Sequence, residues 1–129
     1  MPVISTNNPS GVPTPASRYS QAALVQGETR RLVVSGQVGM EVDGSVPASG
    51  QAQVALVFRN LQTILNANGM GWGNVVKITS FLTDRSLLGA YRAARDAVTT
   101  EHLPASTLLF VSGLADPRFL VEIELEAVA

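Results

Sequence analysis

The apolar period of the chain changes twice from two residues to about three and a half, and back again. That switching limits the folds open to it more than any other feature. From Gln51 to Ala67 the residues Val54, Val57, Phe58, Leu61, Ile64 and Leu65 recur at helical spacing, with Gln53, Arg59, Asn60, Gln62 and Asn66 on the opposite side. The pattern predicts an amphipathic helix that must bury its apolar stripe against another element. Ser49 is placed to cap its start and Gly69 to stop it. A second helical period, carried by Leu87, Leu88, Tyr91, Ala94 and Val98, runs to about Thr100.

Between and around these helices the pattern is that of strands. "VVKITSFL" (75–82) alternates and is rich in β-branched residues, and Ser106–Ser112 and Phe119–Ala127 read the same way. Tyr19–Val25 and Arg31–Ser35 are expected to pair as a hairpin around "QGET". The first eighteen residues, rich in Pro, Ser, Asn and Gly, are expected to form an irregular arm on a single domain spanning 1–129. The expected class is α+β in the order β-β-α-β-α-β-β: a six-stranded mixed sheet with both helices packed on one face. The other sheet face is then left over. Only 15% of the residues are charged, below the usual quarter, so the natural cover for that face is another subunit.

Composition removes several kinds of chemistry. There is no cysteine, which excludes thiol nucleophiles, thiolate metal sites and disulfides, and a lone histidine (His102) cannot build a histidine-rich zinc site. Neither a metal nor a cofactor is expected. Nine basic and ten acidic residues are scattered to a net charge of −1, with no stripe to neutralise phosphates, so no nucleic-acid partner is expected. No apolar run approaches the ~20 residues that span a bilayer, and no secretory signal is visible. The expected location is cytoplasmic, without membrane association. "GMGWG" (69–73) lacks the lysine of a phosphate loop and precedes a strand, so it reads as a helix stop and turn. His102 reads as a helix-end residue, not a general base.

The segments "YSQA" (19–22), "VVSGQVG" (33–39), "VVKITSFLTD" (75–84), "HLPAST" (102–107) and "LVEIELEAVA" (120–129) together resemble the YjgF/Rid family of reactive-intermediate deaminases, in order and spacing. The resemblance implies a chorismate-mutase-like fold and a homotrimer with small-molecule pockets between neighbouring subunits. It also implies hydrolysis of imines and enamines, such as 2-aminoacrylate, to 2-keto acids and ammonia. Carried over residue by residue, Tyr19 lines the pocket, Ser35 and Gly36 bring backbone close to the ligand, and Glu122 positions or activates water, with Glu124 as the alternative. Arg92 falls near a further pocket position.

The family's carboxylate-clamping arginine, in a "PARS"-like stretch, falls on Ser106, and its following cysteine on Leu108. A hydroxyl cannot replace a guanidinium that forks onto a carboxylate. The expected substrate is therefore a reactive imine, enamine or related metabolite other than the usual 2-aminoacrylate type. The alternative is a trimer that binds a small metabolite without turning it over. Arg92 or Arg95 could bring a cation from the second helix, although helical arginines are more often solvated. For Glu126, at the chain end, the expectation is simple exposure.

Overall fold

The computed structural model describes residues 2–129. The first helical period forms α1 (Gly50–Ala67). The Ser49 hydroxyl accepts the Ala52 amide at 3.3 Å, as its spacing predicts. At the other end Gly69 adopts φ +67°, the Met70 amide donates back to Leu65 and the Gly69 amide to Asn66. This closing pattern satisfies carbonyls the helix would otherwise orphan, and it turns the buried Met70 side chain onto the core. The second period forms α2 (Leu88–Val98), led in by a 3-10 turn over Arg85–Leu87 whose first free amide, on Ser86, is capped by the Asp84 carboxylate at 2.8 Å.

Six strands and two helices are present in an α+β arrangement, but the strands divide. A four-stranded mixed sheet contains β3 (Arg31–Val38), β4 (Val75–Leu82), β5 (Ala105–Phe110) and β6 (Val121–Val128) in the order β3-β6-β4-β5. β6 is antiparallel to both neighbours, while β4 and β5 are parallel, as a strand–helix–strand crossover through α2 requires. The other two, β1 (Val3–Asn7) and β2 (Ala22–Gln26), form an antiparallel ribbon. Ser20 ties that ribbon to the sheet through a bridge to Ala105.

Two expectations are corrected here. The β-β-α-β-α-β-β order accounts for five strands; the sixth, β1, lies inside the segment expected to be irregular. "VIST" is β-branched enough to pair once β2 is offered to it, whatever the prolines around it. The hairpin between the segments at 19–25 and 31–35 does not form, because β2 pairs with β1 and β3 pairs with β6. The turn between them is committed elsewhere: the Thr29 and Arg30 amides both donate to the Ala129 carbonyl, at 3.0 and 2.9 Å.

Both helices lie on one face of the four-stranded sheet. Val121, Ile123, Leu125 and Ala127 of β6 alternate onto that face and meet Val54, Val57, Leu61 and Leu65 of α1, all essentially without solvent contact. Each of the valine, leucine and isoleucine side chains among them stabilises the fold by roughly 1.5–3 kcal/mol through burial. Tyr91 of α2 closes the core and exchanges a 2.7 Å hydrogen bond with Ser80 of β4, leaving neither hydroxyl unpartnered. Gln53, assigned to the polar side of its helix by spacing, is buried instead. Its amide donates to the Pro47 and Arg118 carbonyls and accepts the Leu120 amide, stitching the start of α1 to the chain entering β6.

Candidate functional site

Because side chains alternate across a strand, register decides which candidate residues can meet. Along β5, Ser106, Leu108 and Phe110 pair in register with Ile78, Ser80 and Leu82, the residues of β4 that face the helices. Across from them stands α2. Between the two lies a cleft of about 380 Å³, within the range of small-molecule pockets. Its floor is Ser106, Leu108 and Phe110, and its far wall is Arg85, Leu88, Arg92 and Arg95.

The chain before β2 closes one end of the cleft and brings Tyr19 into it. That stretch is held at several points. The Ser20 hydroxyl donates to the Leu103 carbonyl at 2.6 Å, Arg18 reaches the Thr99 and Thr100 carbonyls, and Arg95 donates to the Ser17 hydroxyl at 3.1 Å. Arg95 also bonds Asp96 at 3.1 Å and lies 5.7 Å from the Tyr91 ring centre. It is 5% exposed, so the expectation of a solvated helical arginine fails for it. Arg92 is exposed, yet its side chain lines the cleft.

Ser35, Gly36 and Glu122 are on the other side of the sheet. Val121 and Ile123 point into the core, so Glu122 points away from the helices, as do Glu124 and Glu126. Opposite them β3 makes a bulge: Val34 pairs with Leu125 but Gln37 with Ile123, so Ser35 and Gly36 together face Glu124. The bulge brings Gly36 against the Glu122 side chain, so closely that a β-carbon there would overlap the carboxyl group. Glu122 is half-buried and has no cationic partner among the described residues, whereas Glu124 is exposed and Glu126 lies 3.8 Å from Arg31. Of the two glutamates left open by the sequence, Glu122 is the sheltered one.

The sequence candidates thus form two groups on opposite faces: Tyr19, Arg92 and Ser106 in the cleft, and Ser35, Gly36 and Glu122 around the bulge. Within one chain the sheet separates them.

Sequence reasoning passed over Arg85 and Phe110. The Arg85 guanidinium sits 4.4 Å from the centre of the Phe110 ring. Its signal was present, since Arg85, Arg92 and Arg95 are seven and three residues apart, which is one-face spacing on a helix. His102 serves the fold, because its Nε2 donates to the Val75 carbonyl at 2.6 Å, beside the irregularity that opens β4. The "GMGWG" stretch is the expected stop and turn, with the Trp72 indole donating to Gln62 at 2.6 Å and tilted against Phe58. Among the described residues no helix is long and apolar enough to cross a membrane.

The chain is similar to known proteins in sequence and in fold. Residues 10–129 match the family described as Endoribonuclease L-PSP. The 2-iminobutanoate/2-iminopropanoate deaminase of Rattus norvegicus is 35% identical over 129 residues, covering 98% of this chain and 88% of its own. The Escherichia coli K12 protein of the same name is 33% identical over 102 residues, covering 76% and 77%. Among solved structures, a protein of unknown function of the conserved Rid family from Yersinia pestis aligns with a TM-score of 0.86 at 26% identity over 98% of both chains. RidA from the Antarctic bacterium Psychrobacter sp. aligns with a TM-score of 0.73 at 28% identity, over 97% of this chain and 99% of its own.

Proposed function

The chain belongs to the Endoribonuclease L-PSP family, the YjgF/Rid family, and on that premise we propose that it hydrolyses small reactive imines or enamines at a site shared between copies of itself in a homotrimer. The observation that carries this reading is the split of the candidate residues. Glu122, on the face away from the helices, cannot reach a ligand held between Ser106 and Arg92 of its own chain. A neighbouring copy that laid this face beside the cleft would complete the site. The face is suited to burial in such an interface: it carries Val33, Phe81 and Leu109, of which Val33 and Leu109 are exposed in the single chain.

In the proposed reaction the imine is held in the cleft with its carbon facing the neighbour's Glu122. The carboxylate takes a proton from water as the water oxygen bonds to that carbon, giving a tetrahedral carbinolamine. Glu122 returns that proton to nitrogen, then accepts the second proton from the carbinolamine hydroxyl and passes it to nitrogen as the carbon–oxygen double bond forms and the carbon–nitrogen bond breaks, so that ammonia and a carbonyl product leave. One water is consumed and no electrons are exchanged, so no redox partner is called for. Tyr19 bounds the ligand at the closed end, on the stretch before β2. Ser106, where relatives of the "PARS" pattern would carry arginine, leaves more room and no cation on the strand, which favours a substrate other than the 2-aminoacrylate type. The scattered charge and net −1 disfavour RNA as a substrate.

The test uses imines generated by amino-acid oxidases from a panel of amino acids, with imine loss followed in the presence and absence of the protein. Glu122→Gln and the cleft-blocking Ser106→Trp should each abolish the acceleration. Mixing the two variants by refolding should restore about a quarter of wild-type activity, because in a cyclic trimer each mixed assembly regains one intact site. No acceleration by wild-type protein on any imine refutes the enzyme reading. Active wild-type protein without restoration on mixing refutes the shared site.

A further inference from the structure

The cleft carries more cation than one small carboxylate requires, and carries it on α2 and the turn leading into it instead of the strand. The β4–α2–β5 crossover makes α2 run antiparallel to β5, so positions on the two can be matched by their rise. Arg85, whose guanidinium lies over the Phe110 ring, marks one end. Seven residues further along, about 12 Å at the 3-10 and then the α-helical rise, Arg92 stands level with the stretch between Leu108 and Ser106, which is about 7–13 Å from Phe110 at the strand rise. Arg95 comes last, at the closed end near Ser17. Of the three, Arg95 is tied to Asp96, which also receives Arg18 at 3.7 Å. Arg85 and Arg92 have no carboxylate partner among the described residues. The contact with the Phe110 ring holds the Arg85 side chain in the cleft, and its N–H groups donate to no protein acceptor among the described residues, which leaves them for an anion. Leu88 and Leu108 supply apolar surface between the two ends.

We propose that the cleft selects a substrate bearing two carboxylates joined by a short apolar linker. Arg92 holds the carboxylate next to the reacting carbon, in place of the missing strand arginine, and Arg85 holds the distal one. This rests on the proposed imine hydrolysis and names its substrate class: the imines of dicarboxylic amino acids. Arg85 is then a specificity-determining residue that leaves the reacting atoms untouched. Ser106, being small, leaves room on the strand for the longer ligand to lie along the cleft.

The experiment is calorimetric titration of the intact protein with two 2-keto acids, the products such imines would yield, so that nothing turns over. 2-Oxoglutarate carries the second carboxylate and 2-oxobutyrate lacks it. Wild-type protein should prefer 2-oxoglutarate by roughly five- to tenfold, the contribution of one partly exposed charge-assisted pair. Arg85→Gln should reduce that preference to within about twofold, as expected when that pair is lost, while leaving 2-oxobutyrate affinity unchanged. Arg92→Gln should weaken both acids alike, and Arg59→Gln, on α1 and away from the cleft, should change neither. Melting temperatures of the variants confirm that each is folded, and Arg85→Lys, which keeps charge but not the fork, serves if Arg85→Gln is not. Equal wild-type affinity for the two acids, no measurable binding of either, or an Arg85 variant that weakens both equally overturns the proposal. Failure of catalysis appears separately, as absent imine loss with the binding preference intact.

Discussion

A single methyl group added at Gly36 should separate the chemistry of this protein from its stability. A β-carbon built on Gly36 would lie 2.7 Å from Cδ and 2.9 Å from Cγ of Glu122. The carboxylate oxygen Oε2 comes closer still, and ordinary carbon–carbon contact is about 3.5–4.0 Å, so the carboxylate must retreat by at least about 1 Å. The obstacle is the end of a flexible side chain, not backbone, and Gly36 is not among the glycines with positive φ. Gly36→Ala should therefore fold, at a cost on the order of 0.5–1.5 kcal/mol if Glu122 is forced off a preferred rotamer. Catalysis is less forgiving. Misplacing a reacting group by about 1 Å can cost on the order of a hundredfold in rate, equivalent to about 2.7 kcal/mol of barrier. The assay is imine loss after oxidase generation, read beside a denaturant midpoint on the same preparation. The expected result is a rate reduced about a hundredfold with 2-keto acid affinity within about twofold of wild type, since the Arg92 side of the site is untouched. A Gly36→Ala protein with full activity would show that the position of Glu122 against the bulge does not matter and would remove Glu122 from the mechanism.

Two further outcomes test the framework around the site. Tyr91→Phe leaves the fully buried Ser80 hydroxyl without its partner and should cost about 1–3 kcal/mol in chemical denaturation, whereas adding Ser80→Ala should recover part of the loss; equal stability of both variants would contradict the buried hydrogen bond. The Asp84 carboxyl is held below its ordinary pKa by hydrogen bonds from the Ser86 amide and hydroxyl. A depressed carboxyl stabilises fully above its unfolded pKa, about 3.9, and the contribution disappears as pH falls through the lower folded value. The stability gap between wild type and Asp84→Ala should accordingly be constant near neutral pH and close below about pH 4, and a gap that widens in acid would reverse the sign of this argument.

What could be read directly from the sequence was whatever depends on local period. The stretch 51–67 is a helix whichever partners it finds, because its apolar stripe is continuous and its ends carry a cap and a stop; Ser49 and Gly69 do what their positions require. The β-branched alternation of β4 and β6 marks both strands, and the matched segments single out Tyr19, Ser106 and Glu122 as candidates. Pairing was another matter. Nothing local tells β2 to prefer β1 over β3; β3 pairs instead with β6, about ninety residues on, and the Ala129 carbonyl just beyond β6 takes the Thr29 and Arg30 amides of the turn between β2 and β3. Gln53 looked solvent-facing by period, and only the arrival of the 118–120 chain supplies the partners that let it be buried.

The same division runs through the site. That Ser106 is not arginine is a fact of sequence, but that Arg92 and Arg95 of α2 and Arg85 of the turn before it line the same cleft is a fact of tertiary structure, because a parallel crossover sets α2 alongside β5 in reverse. The alternation of Glu122 with Val121 and Ile123 puts it on the face opposite their side chains. Only the core decides which face that is, and by burying the valine and the isoleucine against α1 it turns the glutamate away from the cleft of its own chain. Local chemistry names the residues; long-range packing decides which of them can meet.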